Sequence, residues 1–376
     1  MARNTNNTAA ETRTVTSEEA RFLLKAAAVD AKRPVFLWGP MGIGKSDLVQ
    51  SIGDEIDALV IDVRMALLDP TDIRGIGFYN VDTKTMDWAP PVDLPTASLA
   101  AQYKHVILFL DEMNSAPPAV QAAAYQLILN RRIGQYVLPD NVSIIAAGNR
   151  ETDKGVTYKM PAPLANRFVH FEMRVDFDSW LNWAITHDVD SNVVGYLSEH
   201  KTDLFDFEPT SSSRAFATPR SWAFVSELMK TPMSDAQVMN MISGTVGEGI
   251  ATKFNAHRKW AGKLPTAADV LDGKAKVLTK ELENVISAQY TLIINLCYEL
   301  KDRYEKYGKT NEGNEKWHGD TDNMLSFMLN NMSAELTILG ARTALATYKL
   351  PFFFKKLKNW DEFNKKYGRF IISAVE

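Results

Sequence analysis

The chain has 376 residues, and this length predicts two or three domains with room for a large hydrophobic core. Hydrophobic residues make up 45% of it and charged residues 23%, and the net charge of −4 argues against the basic surface typical of nucleic-acid binding. The one cysteine, Cys297, excludes a disulfide framework and a cysteine-based zinc site and favours a reducing, cytoplasmic compartment. No stretch has about 18 consecutive uncharged apolar residues, so no membrane span is expected.

The N-terminal region is predicted to be a disordered tail that leads into a helix. Residues 1–16 are polar and lack the apolar segment of a signal peptide. A helix is predicted to begin near Ser17, with Thr16 or Ser17 as its cap and two glutamates in its first turn. Its inner face is expected to consist of Phe22, Leu23, Ala26 and Ala27.

A glycine-rich motif follows the first long predicted strand, Val35–Trp38. Gly39-Pro40-Met41-Gly42-Ile43-Gly44-Lys45-Ser46 matches G-x-x-x-x-G-K-[ST], and a predicted helix comes next. In this order of elements, main-chain N–H groups and the positive end of the helix surround phosphate oxygens. Lys45 is expected to reach the β and γ phosphates, and the Ser46 hydroxyl is expected to bind Mg²⁺. The alternative is a glycine-rich turn that binds nothing.

A strand is predicted at Ala58–Val63, and a long insert follows it. Residues Asp69 to Pro95 are rich in proline and glycine and are predicted to be irregular. So long an insert in a compact domain is usually functional or mobile, and the alternative is a surface loop packed by its own aromatic residues.

Two carboxylates end the next predicted strand, which begins at His105 and continues through five apolar residues. Open α/β sheets bind ligands at the carboxyl ends of their strands, where Asp111 and Glu112 lie. Asp111 is expected to hold Mg²⁺, directly or through water, and Glu112 to polarise a water for attack on the γ phosphate. The alternative is an acidic turn without a ligand.

The following elements complete an α/β pattern. A helix is predicted at Pro118–Asn130, a hairpin at Arg131–Pro139, and strands at Val142–Ala147 and Val169–Met173. Asn149 follows the first of these strands, where it can orient the attacking water or contact the γ phosphate, although asparagine after glycine is often only a turn residue. Strands that alternate with helices predict a parallel, three-layered sheet.

Beyond about Asp176 the strand pattern fades. Helices are predicted at Ser179–Thr186, Trp222–Met229, Ser234–Val246, Glu248–Trp260, Ala267–Leu271, Leu278–Tyr304 and Asn323–Ala346. A loop is predicted at Pro209–Arg220 and a polar linker at Gly308–Asp322. Between Tyr348 and Phe370, aromatic residues alternate with lysines, which favours an amphipathic helix over a nucleic-acid-binding segment.

In this order, the motifs resemble those of the AAA+ ATPases, and within them the MoxR-like and dynein-related branch. Gly39–Ser46 matches the family's Walker A motif, Ile107–Glu112 its Walker B motif, and Asn149 its sensor-1 position. Leu164-Ala165-Asn166-Arg167-Phe168 resembles its arginine-finger segment, and Thr218-Pro219-Arg220 resembles its sensor-2 motif. The insert at 69–94 and the hairpin at 131–138 are similar to elements that face the central pore of related rings.

The resemblance covers roughly residues 18–260 and implies a P-loop NTPase domain of the α/β class, with three αβα layers and a parallel sheet. An all-α lid and a helical C-terminal extension are expected to follow. The expected boundaries are a tail at 1–16, the nucleotide-binding domain at 17–175, the lid at 176–260 and the extension at 261–376.

The resemblance also implies ATP and Mg²⁺ as cofactors. The nucleotide is expected to contact Gly39, Pro40, Met41, Gly42, Ile43, Gly44, Lys45, Ser46 and Asp47, and the metal is expected to contact Ser46 and Asp111. The expected catalytic residues are Glu112, Asn149, Arg167 and Arg220, with Arg167 supplied by the neighbouring subunit of a ring that is commonly a hexamer.

Three functions stay open at this point. The first is a MoxR-like ring ATPase that remodels a protein, either a client or a separate partner of von Willebrand factor A type. The second is a DNA-directed motor, which Arg131, Arg132 and the C-terminal lysines keep open although the net charge does not favour it. The third is a scaffold that binds nucleotide without hydrolysing it, and the presence of Glu112 argues against it. No membrane partner is expected.

Overall fold

The computed structural model describes residues 13–91, 93–153, 157–309, 311–352 and 354–372. The chain separates into two units, Met1–Asp176 and Phe177–Glu376. The predicted lid and the predicted C-terminal extension both fall in the second unit, and their separation at residue 260 stays a prediction.

The first unit contains the strands of the described chain. They are β1 (Thr14–Val15), β2 (Val35–Trp38), β3 (Leu59–Arg64), β4 (Ile76–Asn80), β5 (Thr85–Ala89), β6 (Val106–Asp111), β7 (Arg132–Ile133), β8 (Tyr136–Val137), β9 (Val142–Gly148) and β10 (Val169–Met173). Among the described residues, six strands form a parallel sheet in the order β1-β10-β2-β9-β6-β3, while β4 pairs with β5 and β7 with β8 as antiparallel hairpins.

Helices cover both faces of the parallel sheet. They are α1 (Ser17–Leu24), α2 (Lys45–Glu55), α3 (Pro70–Arg74), α4 (Ala97–Ala100), α5 (Pro118–Asn130) and α6 (Ala162–Ala165). Because side chains alternate along a strand, Phe36 packs with Leu127 of α5 on one face, whereas Leu37 packs with Leu24 of α1 on the other. The predicted three-layer α/β fold with a parallel sheet is confirmed.

The beginning of the described chain differs from the sequence prediction in two ways. Thr14 and Val15 form β1, which pairs with β10, so the predicted tail at 1–16 extends too far; residues 1–12 lie outside the described residues. Thr16 caps α1 as predicted, but Phe22 is 72% exposed. The buried stripe of this segment is Ala20, Leu24 and Ala28, which are four residues apart and therefore share one helical face.

The insert after β3 is more regular than predicted. Asp69 and Asp72 form a capping box at α3, and the β4–β5 hairpin follows. Gly75 joins the two elements with a φ of +83°, and a Cβ atom there would lie 2.0 Å from Ala89 O. The prediction of an irregular segment was wrong because proline and glycine mark the ends of short elements here rather than a continuous loop.

The second unit is helical in the part of it that the structure describes, apart from one isolated β-bridge between Asp206 and Ala217. Its helices are α7 (Phe177–Thr186), α8 (Ser191–Glu199), α9 (Pro219–Met229), α10 (Asp235–Val246), α11 (Glu248–Ala261), α12 (Ala267–Leu271), α13 (Ile286–Arg303), α14 (Asn311–Asn331), α15 (Ala334–Arg342) and α16 (Trp360–Ile372). Among the described helices, none is both long and apolar enough to span a membrane.

Four points of the prediction for this unit need correction. The predicted linker at Gly308–Asp322 lies largely within α14, since Trp317 is fully buried and Asp320 bonds to Arg303. The predicted helix at Asn323–Ala346 is interrupted at Ser333, which caps α15. Residues 278–285 precede α13 instead of opening it, and α8 was not predicted.

The C-terminal helix α16 is amphipathic, as predicted. Phe363 is fully buried, while Lys365 and Lys366 are exposed. The aromatic residue Phe353 of the same predicted segment lies outside the described residues.

Candidate functional site

The glycine motif forms a loop between the end of β2 and the start of α2. Gly42 and Gly44 have φ values of +73° and +90°, which residues with a side chain rarely adopt. A Cβ atom on Gly39 would lie 2.6 Å from the Ile43 side chain. The first hydrogen bond of α2 runs from Leu48 N to Gly44 O, so the N–H groups of residues 45–47, including Asp47, lie at the positive end of the helix.

Lys45 joins this loop to the end of β9. Its ammonium group is buried and donates to Gly39 O at 2.8 Å, to Pro40 O at 3.0 Å and to Asn149 Oδ1 at 3.1 Å. The structure therefore brings the predicted phosphate-binding lysine and the predicted catalytic asparagine into direct contact.

Ser46 and Asp111 form a second pair of predicted ligands. The Ser46 hydroxyl donates to Asp111 Oδ2 at 2.8 Å, and the other carboxylate oxygen accepts from Glu112 N at 2.8 Å. Glu112 has a φ of +54°, a left-handed conformation that costs an L-residue about 1–2 kcal/mol. Backbone strain of this kind concentrates at functional sites.

Asp62 adds a third carboxylate that sequence analysis missed. It lies on β3, next to β6, and burial raises its pKa, with further increases from the negative charges of Asp111 and Glu112 and an opposing effect of Arg64. The signal in the sequence was an acid directly after the apolar residues Leu59, Val60 and Ile61. Carboxylate and hydroxyl oxygens are the ligands that Mg²⁺ prefers, so the pair of Ser46 and Asp111 suits a hard divalent cation. Asp62 lies beside Phe109, two residues before Asp111, and the described residues contain no group of three acidic, histidine or cysteine side chains that could hold a metal ion.

Asn114 is a second residue that sequence analysis missed. Its side-chain Nδ2 donates to Asn149 O at 2.7 Å, and its Oδ1 accepts from Asn149 N at 3.1 Å. Asn114 is only 1% exposed, and a Cβ atom on Gly148 would lie 2.3 Å from its Oδ1. The available signal was a polar residue three positions after the acidic end of β6, which the sequence alone does not distinguish from a turn residue.

Arg167 lies at the amino ends of the parallel strands, whereas the phosphate loop lies at their carboxyl ends. In the parallel pairing of β10 with β2, Val169 lies beside Val35 and Glu172 beside Trp38. Arg167 comes two residues before Val169 and is exposed, whereas Gly39 comes directly after Trp38. The structure thus does not bring Arg167 to the phosphate loop of its own chain.

Arg220 belongs to the second unit. It is the second residue of α9, is exposed, and follows a capping box formed by Thr218 and Ser221, with Pro219 at the first helical position. A cation at the start of a helix is unfavourable to the helix dipole, which favours an anionic ligand for this side chain.

The residues present fit a nucleoside triphosphate with Mg²⁺. The first N–H groups of α2 and one ammonium group lie together in the loop, the hydroxyl and carboxylate oxygens of Ser46 and Asp111 lie beside them, and this set of groups suits phosphates with a divalent cation. These features define the first unit as a P-loop nucleotide-binding domain.

The family of this domain follows from comparison with known proteins. Residues 34–168 match the family model of the AAA domain, dynein-related subfamily. This part of the chain therefore matches an AAA domain of the dynein-related subfamily, as the resemblance predicted. The match covers the site residues from Gly39 to Arg167 and ends before the second unit.

Similar solved structures share little sequence with this chain. They include a proposed ATPase of Cytophaga hutchinsonii, at 14% identity and a TM-score of 0.33 over 96% of this chain and 91% of that one. NtrX of Brucella abortus, in complex with ADP, is 14% identical with a TM-score of 0.38 over 81% and 68%. A RuvB variant of Thermotoga maritima is 15% identical with a TM-score of 0.35 over 88% and 91%. These scores support no statement about function, and a sequence comparison with curated proteins gave no match.

Proposed function

We propose that this protein is a Mg²⁺-dependent, MoxR-like ATPase that assembles into a ring, commonly a hexamer, and couples ATP hydrolysis to the remodelling of a protein partner. The observation that carries the proposal is that the site residues are divided between the carboxyl ends and the amino ends of the parallel strands, which are called here the carboxyl edge and the amino edge of the sheet. Lys45, Ser46, Asp111 and Asn149 meet at the carboxyl edge, whereas Arg167 lies at the amino edge.

Each residue at the carboxyl edge has a proposed role. Lys45 and the N–H groups of the loop bind the phosphates, and Ser46 and Asp111 hold Mg²⁺. When bound, Mg²⁺ supplies positive charge that offsets the negative charge of the phosphate oxygens. Glu112 accepts a proton from the attacking water as a general base, and Asn149 orients that water.

Arg167 is proposed to act on the nucleotide of the neighbouring subunit. Arg167 and the phosphate loop of the same subunit lie at opposite ends of β2, a strand about 10 Å long at 3.3 Å per residue. A ring would place the amino edge of one subunit against the carboxyl edge of the next, so that each site receives one guanidinium group. An arginine supplied in this way increases the rate of hydrolysis by about 10³–10⁵ in well-studied NTPases. Arg220 keeps its proposed catalytic role, which rests on the likeness of Thr218-Pro219-Arg220 to the sensor-2 motif.

Two observations favour a protein partner over DNA. The β4–β5 hairpin exposes large apolar side chains, namely those of Ile76, Phe78, Tyr79, Val81, Met86 and Trp88. In the other hairpin, the Arg131 guanidinium is occupied, since it donates to Pro139 O at 2.7 Å and to Val142 O at 2.8 Å. Arg132 is an exposed arginine of this second hairpin. The apolar surface of the β4–β5 hairpin suits a protein client, or a separate partner of von Willebrand factor A type, better than it suits a phosphate backbone.

The shared site is tested by mixing two inactive variants. Glu112→Gln subunits lack the base but keep Arg167, and Arg167→Ala subunits lack the guanidinium but keep the base. Each alone should bind ATP without hydrolysing it, and the mixture should regain phosphate release at composite sites. Arg21→Ala, which removes an exposed arginine on α1, is the matched control and should keep full activity. A mixture without recovery would contradict the sharing of sites.

Two further measurements test the nucleotide and the partner. Lys45→Ala should abolish ATP binding, and an unchanged affinity would contradict the role of the phosphate loop. The ATP-locked Glu112→Gln ring should retain a protein partner, and tight, salt-dependent binding of DNA by that ring would instead support the DNA-directed motor.

A further inference from the structure

A histidine connects the strand before the phosphate loop to the turn that carries Arg167. Trp38 Nε1 lies 2.9 Å from His170 Nδ1, and His170 Nε2 lies 2.8 Å from Ala165 O. An indole N–H can only donate, so Nδ1 is the acceptor and Nε2 carries the hydrogen that is donated to Ala165 O. The two bonds together require the neutral Nε2–H form of His170.

Both partners of His170 lie next to residues of the proposed site. Trp38 is the last residue of β2 and directly precedes Gly39. Ala165 O also accepts from Phe168 N at 3.2 Å, which closes a turn that contains Arg167, and Arg167 N donates to Leu164 O at 3.0 Å. His170 therefore bonds to the main chain of the turn from which the Arg167 side chain extends.

Aromatic rings line one side of the imidazole ring, and the other side of His170 is exposed to solvent. The ring lies nearly parallel to that of Trp38, with centroids 6.1 Å apart and planes at 23°, and it contacts Phe36 and Phe168 at 5.9 and 6.1 Å. Phe168, the residue that follows Arg167, packs edge-on against Phe36 at 5.4 Å. One end of the turn is thus fixed by a buried side chain and the other by a hydrogen bond from His170.

We propose that His170 is a positioning residue that fixes the Arg167 turn relative to the phosphate-loop strand of the same subunit. The inference rests on the proposed function, in which Arg167 completes the site of the neighbouring subunit. Its consequence is a direct connection between successive sites: β2, which leads into the phosphate loop of one subunit, also sets where that subunit presents its guanidinium group. A substitution of His170 should therefore change the rate of ATP hydrolysis at the site of the neighbouring subunit.

Two substitutions separate the hydrogen bonds of His170 from its packing. His170→Phe keeps an aromatic ring against Phe36 and Trp38 but removes both bonds. His170→Gln keeps one acceptor and one donor and should restore most of the activity. His187→Phe is the matched control, because His187 also stacks on a tryptophan, Trp183, and bonds to a main-chain carbonyl oxygen, but it lies in the second unit.

The test places His170→Phe in one or the other subunit type of the mixed ring. In the Glu112→Gln subunit, which donates Arg167, the substitution should lower kcat of the mixture about 10-fold with little change in KM, within the ~10²-fold that a 1 Å misplacement can cost. In the Arg167→Ala subunit, which has no guanidinium to position, the mixture should keep the rate of the parent mixture. The His170→Gln version of the first mixture should recover.

The remaining outcomes overturn the inference in distinguishable ways. Equal losses in both arrangements, or no loss in either, would show that His170 does not act through Arg167 while the shared site stands. No phosphate release from the parent mixture would contradict the shared site itself, and the role of His170 with it. Thermal unfolding of each variant and gel filtration of each mixture separate these results from a failure to fold or assemble.

Discussion

Replacing Asn114 by alanine tests how the end of β9 is held in the catalytic position. The Asn114 side chain exchanges two hydrogen bonds with the main chain of Asn149, at 2.7 and 3.1 Å, in a place that is almost inaccessible to water. Asn149 in turn contacts the Lys45 ammonium through its side chain. The substitution therefore removes support from a residue that bonds to the lysine of the phosphate loop.

The expected size of the effect follows from the two groups that lose their partners. A buried N–H or C=O group without a hydrogen bond costs about 1–3 kcal/mol, so Asn114→Ala should destabilise the first unit by about 3 kcal/mol. For a unit of this size, that loss corresponds to a decrease in Tm of roughly 6–12 °C. Misplacement of Asn149 should also reduce kcat by about 10- to 100-fold, because Asn149 is proposed to orient the attacking water.

The assay compares Asn114→Ala with Asn141→Ala, a matched substitution at the other end of β9. Asn141 also makes two bonds to main-chain oxygens, to Ala100 O at 2.9 Å and Tyr103 O at 3.0 Å, but it lies away from the nucleotide site. Both variants should lose stability in thermal unfolding, and only Asn114→Ala should lose kcat in a phosphate-release assay below its Tm. If the two variants hydrolyse ATP equally well, Asn114 supports the fold and not the site.

Three further predictions follow from packing and burial. Gly148→Ala would place a Cβ atom 2.3 Å from Asn114 Oδ1 and 2.8 Å from the Phe36 ring, so kcat and Tm should both fall, and a normal rate in the phosphate-release assay would contradict the crowding. Leu24→Ala should cost about 2–5 kcal/mol, whereas Phe22→Ala should change stability by less than about 0.5 kcal/mol, which thermal unfolding can compare; a larger loss for Phe22→Ala would refute the observed helix face. Burial lowers the pKa of His257 to about 4, so the unfolded chain binds a proton below about pH 6.5 that the folded second unit does not. Stability should therefore fall by about 2 kcal/mol between pH 7 and pH 5, and His257→Gln should reduce this dependence in unfolding measured at both pH values; an unchanged slope would contradict it.

Sequence patterns predicted correctly the helices and strands whose ends are marked by a characteristic type of residue. The helix Pro118–Asn130 begins with proline at its first position and ends where Arg131 takes a left-handed conformation, and its predicted and observed bounds agree. The strand Val169–Met173 and the strand before the glycine motif also agree with the prediction. The second of these, Val35–Trp38, was visible because a parallel strand buried by helices is a short apolar run.

Patterns failed where tertiary contacts decide between alternatives. Around α1, Phe22 and Leu24 are both apolar, and only the position of the sheet determines that Leu24 is the buried one. In α14, glycine and asparagine favoured a linker, but burial of Trp317 and the ion pair between Asp320 and Arg303 stabilise a helix. These outcomes depend on residues distant in sequence, which a local pattern does not contain.

In the candidate site too, a local sequence pattern identifies motif residues but misses a residue whose role depends on distant contacts. The motif residues Lys45, Asp111 and Asn149 were visible because their chemistry requires particular residue types in a known order. Asn114 was not visible, because its role depends on the distance between β6 and β9, and an asparagine that holds a main chain has no distinctive neighbours in sequence.

The position of Arg167 has consequences that only the strand register reveals. Because β10 and β2 are parallel and Val169 lies beside Val35, a residue just before β10 is at the amino edge, while the loop after β2 is at the carboxyl edge. A monomer that needed Arg167 for hydrolysis would have to bring together groups separated by the length of a strand. An intact sheet does not allow this, since sliding β10 by one residue would turn its buried residue, Met173, to the opposite face. If Arg167 contributes to catalysis, the fold therefore requires a second subunit at each site.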